Sequence, residues 1–262
     1  SLIMKVSILG SGSSGGVPVV GVGWGACDPD NRKNRRTRPC VLMEVVGKTY
    51  LFDTSPDLRQ QLLSADIGHL DGVFFTHAHA DHLNGLDDLR GINRAMHAPL
   101  DIYCDQQTLK AIKDRFNYVL TPLAEGASHY YKPVLVPTTI CAGETFRTDE
   151  IDITVFDQDH GFSRTLGYRI GNFGYSTDLV NLPEAGFEAL AGVHTWVIGS
   201  FTNHSHETHA HVAKALEWID RLKPKKAILT HLGPDLDYGI LSAELPEGVF
   251  AAYDGITFGV PE

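Results

Sequence analysis

Cysteine, basic charge and long apolar runs are all scarce in this 262-residue sequence. Its four cysteines form no CxxC pair and no regular spacing, which argues against a disulfide framework or a zinc ribbon and favours a reducing cytoplasm. No stretch approaches a membrane span, so no membrane association is expected, and the three residues before Met4 are interpreted as a cloning remnant or an upstream start, being too few for a signal peptide. The net charge of −10 argues against general nucleic-acid binding, which depends on Lys and Arg contacts to phosphates.

The sequence does contain enough apolar material for a large core, since 43% of its residues are hydrophobic. One domain over residues 1–262 is therefore expected. Thirteen histidines are also present, and the way they cluster carries the functional information.

The densest polar cluster follows the apolar run 72–75, which is typical of a buried strand. His77, His79, Asp81 and His82 stand within six residues, and the spacing of the first two indicates a loop rather than one helical face. Imidazole suits zinc, iron, nickel and manganese-like ions, and a carboxylate adds a hard oxygen and negative charge. A solvated histidine-rich turn is the alternative, but it explains neither the strand nor the His and Asp residues downstream. The cluster predicts a metal site.

This HxHxDH spacing resembles the signature of the metallo-β-lactamase superfamily. The resemblance implies an α/β fold, the αββα sandwich, in which two mixed sheets pack back to back with helices on the outer faces. It also implies a pair of metal ions at one edge of the sheets.

A strand predicted over residues 5–9 leads into a glycine-rich segment that matches GxGxxG at residues 10–15. A dinucleotide fingerprint must open a helix, and Pro18 with the glycines beyond it prevents one here. The resemblance places this loop beside the metal site, where its amides bind a phosphate or simply form a tight turn. The polar loop 28–38 carries five basic residues and is interpreted as solvated, with attraction of anionic substrates as the alternative.

Asp53 follows a predicted strand and precedes a predicted helix over residues 58–65. By resemblance it lies beneath the metal loop and orients the ligands through hydrogen bonds, whereas from position alone it could cap the helix.

Three further strand ends carry His160, Asp178 and His231. A lone histidine at a strand end is usually structural, and Asp178 could be a cap, but the resemblance makes all three metal ligands. It implies two divalent ions, zinc or manganese, that share Asp178. One ion would take His77, His79 and His160, and the other Asp81, His82 and His231. Such a pair, about 3.5–4 Å apart, can hold a bridging hydroxide as nucleophile. Di-iron relatives that reduce oxygen have Glu at the position of His79, so hydrolysis is favoured and redox chemistry is the alternative.

The histidine-rich segment 203–212 precedes a predicted helix over residues 212–222. Cleavage of a phosphodiester benefits from an acid near the metals, and Thr208 with His209 resembles a motif of cyclic-phosphate phosphodiesterases and tRNA 3′-processing endonucleases. His209 is therefore the candidate general acid or phosphoryl stabiliser, although His204, His206 and His211 compete for this role.

The resemblance spans nearly the whole chain and is closest to the PhnP-like cyclic-phosphate phosphodiesterase branch. Two departures are present: Cys27 is alone where members with a structural zinc carry several cysteines, so no structural zinc is predicted, and Gly199 replaces a frequent aspartate near the substrate. Tyr130 and Tyr131 are placed at the substrate rim.

The expected function is metal-dependent hydrolysis of a small cyclic or nucleotide-like phosphate ester by a cytoplasmic protein. A homodimer is compatible with the resemblance, because members of the nearest family often dimerise. The alternatives are a tRNA 3′-processing-type endonuclease, a thioester or lactam hydrolase, and a metal-dependent binding protein. The endonuclease needs a long RNA-binding arm, and no Gly/Lys-rich insertion of that kind occurs in the sequence.

Overall fold

The computed structural model describes residues 4–262, so the residues interpreted as a remnant or upstream start, Ser1, Leu2 and Ile3, lie outside the described residues. Within that range the chain forms fourteen strands and seven α-helices. The strands are β1 (Met4–Gly10), β2 (Cys40–Val45), β3 (Lys48–Phe52), β4 (Gly72–Phe74), β5 (Leu100–Cys104), β6 (Leu135–Thr139), β7 (Thr145–Thr148), β8 (Ile151–Asp159), β9 (Arg164–Ile170), β10 (Phe173–Ser176), β11 (Thr195–Gly199), β12 (Lys226–Thr230), β13 (Val249–Ala251) and β14 (Ile256–Val260). The helices are α1 (Leu58–Ser64), α2 (Ala80–Leu83), α3 (Arg90–Met96), α4 (Gln106–Phe116), α5 (Glu184–Ala189), α6 (Val212–Leu222) and α7 (Tyr238–Glu244). In this part of the chain no helix has both the length and the hydropathy needed to cross a bilayer.

The strands form two seven-stranded mixed sheets. The first has the order β14-β1-β2-β3-β4-β5-β6 and is antiparallel from β14 to β3 and parallel from β3 to β6. The second has the order β13-β12-β11-β10-β9-β8-β7 and is parallel from β13 to β10 and antiparallel from β10 to β7.

Three apolar layers hold these elements together. The central layer lies between the sheets and is rich in aromatic rings. The ring centroid of Phe52, for example, lies 5.4 Å from that of Phe74 in its own sheet and 5.3 Å from that of Tyr168 in the other sheet. A second layer packs α1 to α4 on the outer face of the first sheet, and a third packs α5 to α7 on the second. Helices thus cover both outer faces, and the predicted αββα sandwich is confirmed.

The topology brings several strand ends to one edge of the sandwich. Strands β3 and β4 run parallel in the first sheet, and β8, β10 and β12 share one direction in the second, so their carboxyl ends lie on the same side. Two hydrogen bonds join the sheets close to this edge: Tyr168 Oη donates to Phe75 O at 2.6 Å, and Leu166 N donates to Thr76 O at 2.9 Å. Side chains that follow these strands therefore meet between the sheets.

Several predicted elements differ in detail from the structure. His77 and His79 lie in a loop, but Asp81 and His82 lie on the single turn of α2. After α2 the chain forms a 3-10 turn, Leu86–Leu89, that leads directly into α3. Each difference reflects packing against the sheets, which local sequence does not encode.

Candidate metal centre

The structure brings the seven predicted ligand residues together in two groups that share Asp178. In each group the candidate ligand atoms all lie within 4.8 Å of one another. Every member is buried except His79, which is exposed at the mouth of the site. The first group is His77, His79, His160 and Asp178, and the second is Asp81, His82, His231 and Asp178.

The carboxylate of Asp178 occupies the centre of the cluster, with four imidazole nitrogens around it. Its Oδ2 lies 3.1 Å from His82 Nε2, 3.3 Å from His77 Nε2 and 3.6 Å from His160 Nε2. Its Oδ1 lies 2.9 Å from His231 Nε2. Asp178 can therefore supply oxygen atoms to both groups at once.

Three residues of the site, none of them glycine, have left-handed backbone conformations within two residues of the end of a strand. The φ angle is 65° at Asp53, 51° at Asp178 and 57° at His231. Residues other than glycine rarely adopt this region, and each instance costs about 1–3 kcal/mol that the surrounding fold must compensate. The three sharp turns aim these side chains into the gap between the sheets.

Asp53 lies under the loop that carries the first histidines, as the resemblance implied, and it does not cap α1. Its Oδ2 accepts hydrogen bonds from His82 Nδ1 at 2.6 Å and from Thr76 Oγ1 at 2.7 Å, and its Oδ1 accepts one from Thr76 N at 2.8 Å. Because the Thr76 hydroxyl donates to Asp53, it accepts a hydrogen bond from His77 Nδ1 at 2.9 Å. Both imidazoles therefore direct Nε2 towards the centre of the cluster.

His160 is oriented from the opposite side by the histidine-rich segment. Its Nδ1 donates to the backbone oxygen of Thr208 at 2.7 Å, which leaves Nε2 facing Asp178. Gly161 follows with a φ of 79°, and a Cβ atom there would lie 2.9 Å from Thr208 Cγ2. A glycine is required at this close approach.

The cluster strongly favours additional positive charge. Burial alone would lower the pKa of His231, yet Asp178 and Asp81 raise it to about 9. The same carboxylates, with Asp53, hold the pKa of His82 well above its ordinary value against the effect of burial. His82 Nε2 is also fully buried without a hydrogen-bond partner of good geometry, although two carboxylates are close to it. An imidazole and carboxylate set with this charge demand fits divalent cations.

His209 lies above the cluster, at the wall of a cavity of about 340 Å³ that His79, Asp81, His160 and Asp178 also line. Its ring centroid is 4.9 Å from that of His160 and 4.9 Å from that of His231. Burial, followed by the positive charge of His231, lowers the pKa of His209 to about 3.

The competing histidines lie further from the ligands. His204 is exposed and approaches Asp235, His206 is exposed and contacts Phe201 and His209, and His211 is the residue before α6. His209 is therefore the one of the four in ring contact with the ligand residues among the described contacts.

Comparison with known proteins agrees with this geometry. The model of the beta-lactamase superfamily domain matches residues 48–232, which is more than half of the chain. The chain belongs to the metallo-β-lactamase superfamily. It is a metallo-hydrolase by family, and the group of ligands that the resemblance implied lies within the matched range.

Among solved structures, a diphosphatase of the PhnP family superposes with a TM-score of 0.90 at 29% identity, covering 99% of this chain and 98% of that one, which supports the PhnP-like resemblance. Zn²⁺-bound PqqB from Methylobacterium extorquens shares the fold, with a TM-score of 0.75 at 20% identity over 97% of this chain and 99% of that one.

Curated relatives are longer proteins. An octanoyltransferase of Porphyromonas gingivalis (strain ATCC BAA-308 / W83) is 32% identical over 97% of this chain and 51% of its own length. A ribonuclease Z of Bacillus thuringiensis (strain Al Hakam) is 28% identical over 57% of this chain and 47% of its own length. The chain thus spans about half the length of the curated relatives it matches.

The glycine-rich loop lies beside the cluster, as the family resemblance implied. Leu232 N, next to His231, donates to Ser11 O at 2.9 Å, and Ser14 lines the cavity. Gly10 must be glycine, because a Cβ atom there would lie 1.8 Å from Arg38 O. The segment is followed by no α-helix before α1 in the described chain, which agrees with rejecting a dinucleotide fold.

The interpretation of loop 28–38 as solvated is wrong at two residues, since Asn34 and Arg36 are both buried. Arg36 is 2% exposed, and it donates to Gly233 O at 3.0 Å, to Leu236 O at 2.6 Å and to Cys27 Sγ at 3.5 Å. This buried cation joins the loop to the segment that follows His231.

Gly199 lies behind the cluster rather than against the substrate cavity. A Cβ atom there would be 3.3 Å from Asp178 N and 3.4 Å from Thr177 Cα, and the cavity lining does not include it. An aspartate at this position would press on the backbone that carries Asp178.

The rim differs from the prediction. Tyr130 and Tyr131 line neither of the two cavities that touch the candidate ligands, whereas Ser163 lines both cavities and Phe162 lines one. The sequence signal for Phe162 was its place one residue beyond the pair formed by His160 and Gly161.

Proposed function

We propose that this protein is a metal-dependent phosphodiesterase that hydrolyses a small cyclic or nucleotide-like phosphate ester. The observation that carries the proposal is the central Asp178 carboxylate with four imidazole nitrogens within 3.6 Å. The similarity to a PhnP-family diphosphatase along almost the full length of both chains supports the substrate class.

Two divalent ions, zinc or manganese, are proposed for the two ligand groups. The first ion would be held by His77, His79 and His160 and the second by Asp81, His82 and His231, with Asp178 shared. When bound, such a pair supplies Lewis acidity that lowers the pKa of a water molecule and stabilises charge on phosphoryl oxygens.

The residues around the ligands have a separate task, which is to keep the nitrogen lone pairs in position. Asp53 and Thr76 hold the Nδ1 protons of His82 and His77, so neither ring can rotate without losing a buried hydrogen bond. Thr208 O does the same for His160. A cluster oriented in this way does not have to reorganise when an anionic ester binds.

His209 is proposed to stabilise the phosphoryl group and to protonate the leaving oxygen. With a pKa of about 3 its imidazole is neutral at neutral pH in the described state, so it can donate one N–H to an ester oxygen. A phosphodiester anion beside the ring favours the protonated form and raises that pKa. When the ester bond breaks, the leaving oxygen becomes a stronger base than the imidazole, so a ring that has taken up a proton from solvent can transfer that proton to the leaving oxygen.

Two alternatives have specific support. The ribonuclease Z match favours an RNA substrate, and the octanoyltransferase match favours acyl chemistry, although each name belongs to a protein about twice as long as the matched region. The net charge of −10 disfavours RNA, because phosphate contacts by basic residues dominate such binding. Acyl transfer gives no role to a proton donor placed as His209 is, since a thiolate leaves without protonation.

The test is turnover of bis(p-nitrophenyl) phosphate by protein loaded with Mn²⁺ or Zn²⁺, with a chelated sample as control. We expect turnover that chelation abolishes, and no comparable turnover of an acyl thioester, a β-lactam or a precursor tRNA. Preferred turnover of any of those three substrates would overturn the proposal. His204→Ala, which alters an exposed histidine of the same segment, is the matched control and should retain activity.

A further inference from the structure

Phe162 is the most exposed aromatic side chain next to the metal cluster. It is 91% exposed, yet it lines the same cavity of about 340 Å³ as His79, His160 and His209. It lies in the four-residue turn 160–163 that joins β8 to β9, two residues from His160. The ring thus stands at the entrance of a site whose other walls are mainly polar.

The turn that carries Phe162 is held in place on both sides. His160 N donates to Ser163 O at 2.9 Å, and Gly161 N donates to Asp159 Oδ1 at 2.9 Å. Gly161 also packs against Thr208, whose backbone oxygen accepts the Nδ1 proton of His160. Because the same contacts position His160, the location of the ring is tied to that of the cluster.

Covering a large apolar ring with a flat apolar surface removes both from water, which lowers the free energy. Nothing among the described contacts covers Phe162, since no ring partner or core cluster includes it. A ligand that fills this cavity must therefore present an anion to the histidine and aspartate cluster and a flat face to the ring. A nucleotide ester has both parts, joined by one ribose.

We infer that Phe162 is a stacking platform for the base of a nucleotide ester, which narrows the substrate class of the proposed phosphodiesterase and rests on that proposal. The phosphate lies over the ligand cluster and the base covers the phenyl ring. Stacking of a base on an aromatic side chain is sequence-tolerant, so purine and pyrimidine bases serve alike. Ser14 of the glycine-rich loop lines the same cavity.

The kinetic test compares two esters that differ only in the base. The substrates are adenosine 2′,3′-cyclic phosphate and the 2,3-cyclic phosphate of methyl ribofuranoside, with the metal-loaded protein. Phe162→Ala should raise KM for the adenosine ester by about 5- to 150-fold, the value expected for loss of one base stack, and leave kcat and the base-free ester unchanged. Phe162→Tyr should restore the wild-type KM. Phe250→Ala removes a half-exposed phenylalanine from β13 and is the matched control, expected to have no effect.

A binding measurement gives a second readout that does not depend on turnover. In proton NMR titrations of AMP with the metal-free and the zinc-loaded protein, stacking should move the adenine H2 and H8 signals upfield for wild type and Phe162→Tyr but not for Phe162→Ala. The inference is overturned if Phe162→Ala leaves both the KM ratio of the two esters and the adenine shifts as in wild type. If neither ester is hydrolysed while the adenine shifts depend on Phe162, the proposed function fails and the stacking platform stands.

Discussion

His82 Nδ1 donates a hydrogen bond of 2.6 Å to Asp53 Oδ2, and both side chains are completely buried. The carboxylate that fixes the ring belongs to the end of β3, whereas His82 belongs to the helical turn after β4, so the bond joins two neighbouring parallel strands. It is the contact through which the sheet determines the direction of a proposed metal ligand.

Asp53→Asn should weaken metal binding without removing a ligand. The amide has one acceptor oxygen in place of two and cannot accept all three hydrogen bonds from Thr76 and His82, so the orientation of His82 is less fixed. Loss of such a partner typically costs about 10–100-fold in metal affinity. Competition titration with a chromophoric chelator measures the change. Asp57→Asn, which alters a carboxylate four residues away that pairs with Arg38, is the control and should bind metal as wild type does. Equal affinities of Asp53→Asn and wild type would contradict the role of Asp53.

The candidate ligand residues could be proposed from the sequence because histidine and aspartate follow apolar strands in a chain that resembles a known superfamily. Strand ends marked His160, Asp178 and His231 as candidates, and the resemblance assigned them to the metal site, with Asp53 beneath it. The predicted positions of β1, α1 and α6 also agree with the structure, since their apolar patterns are strong.

Other features depend on contacts between distant parts of the chain. Arg36 lies in a basic segment that indicates solvent exposure, and its buried state results from carbonyl oxygens of Gly233 and Leu236 almost 200 positions away. The spacing of His77 and His79 indicates a loop, yet the next residues, Asp81 and His82, are buried on the single turn of α2. No local pattern contains this information.

His209→Ala should lower kcat for a phosphodiester by about 10²–10⁴-fold, the usual contribution of a positioned proton donor. Metal content should stay unchanged, because His209 belongs to neither ligand group. His206→Ala, which removes the exposed neighbour of His209, should keep kcat close to that of wild type. Steady-state kinetics with bis(p-nitrophenyl) phosphate measures both. Intact phosphodiester turnover in His209→Ala would favour a thioester or lactam hydrolase.

Arg36→Leu should destabilise the fold by about 3 kcal/mol, because the substitution leaves the buried carbonyl oxygens of Gly233 and Leu236 without a donor. Chemical unfolding of the metal-free protein measures the loss. Arg35→Leu, a substitution of the neighbouring exposed arginine that stacks on Trp24, serves for comparison and should change stability by less than about 1 kcal/mol. A loss of equal size in both variants would show that the buried contacts of Arg36 contribute nothing specific.

The ion pair of Asp57 with Arg38 predicts a pH dependence of stability. Burial alone would raise the pKa of Asp57, but hydrogen bonds from Arg38 Nε and N hold it below its ordinary value. Since the folded pKa is the lower one, the stabilisation is complete above the unfolded value of about 4 and is lost as the pH falls through the folded value.

Asp57→Asn should therefore lower the free energy of unfolding by about 0.2–1 kcal/mol at pH 7, with a difference from wild type that shrinks as the solution is acidified below about pH 4. Urea unfolding of both proteins across this pH range is the measurement. A difference that stays constant down to the lowest pH would contradict the assignment.

Metal content after loading tests the central claim most directly. Wild-type protein and Asp178→Ala are loaded with Mn²⁺ or Zn²⁺, dialysed against metal-free buffer and analysed by inductively coupled plasma mass spectrometry. One ion for each of the two ligand groups, hence two per wild-type chain, and fewer in Asp178→Ala is the predicted result. Fewer than two ions in wild type, or the same number in Asp178→Ala, would contradict a binuclear centre built on Asp178.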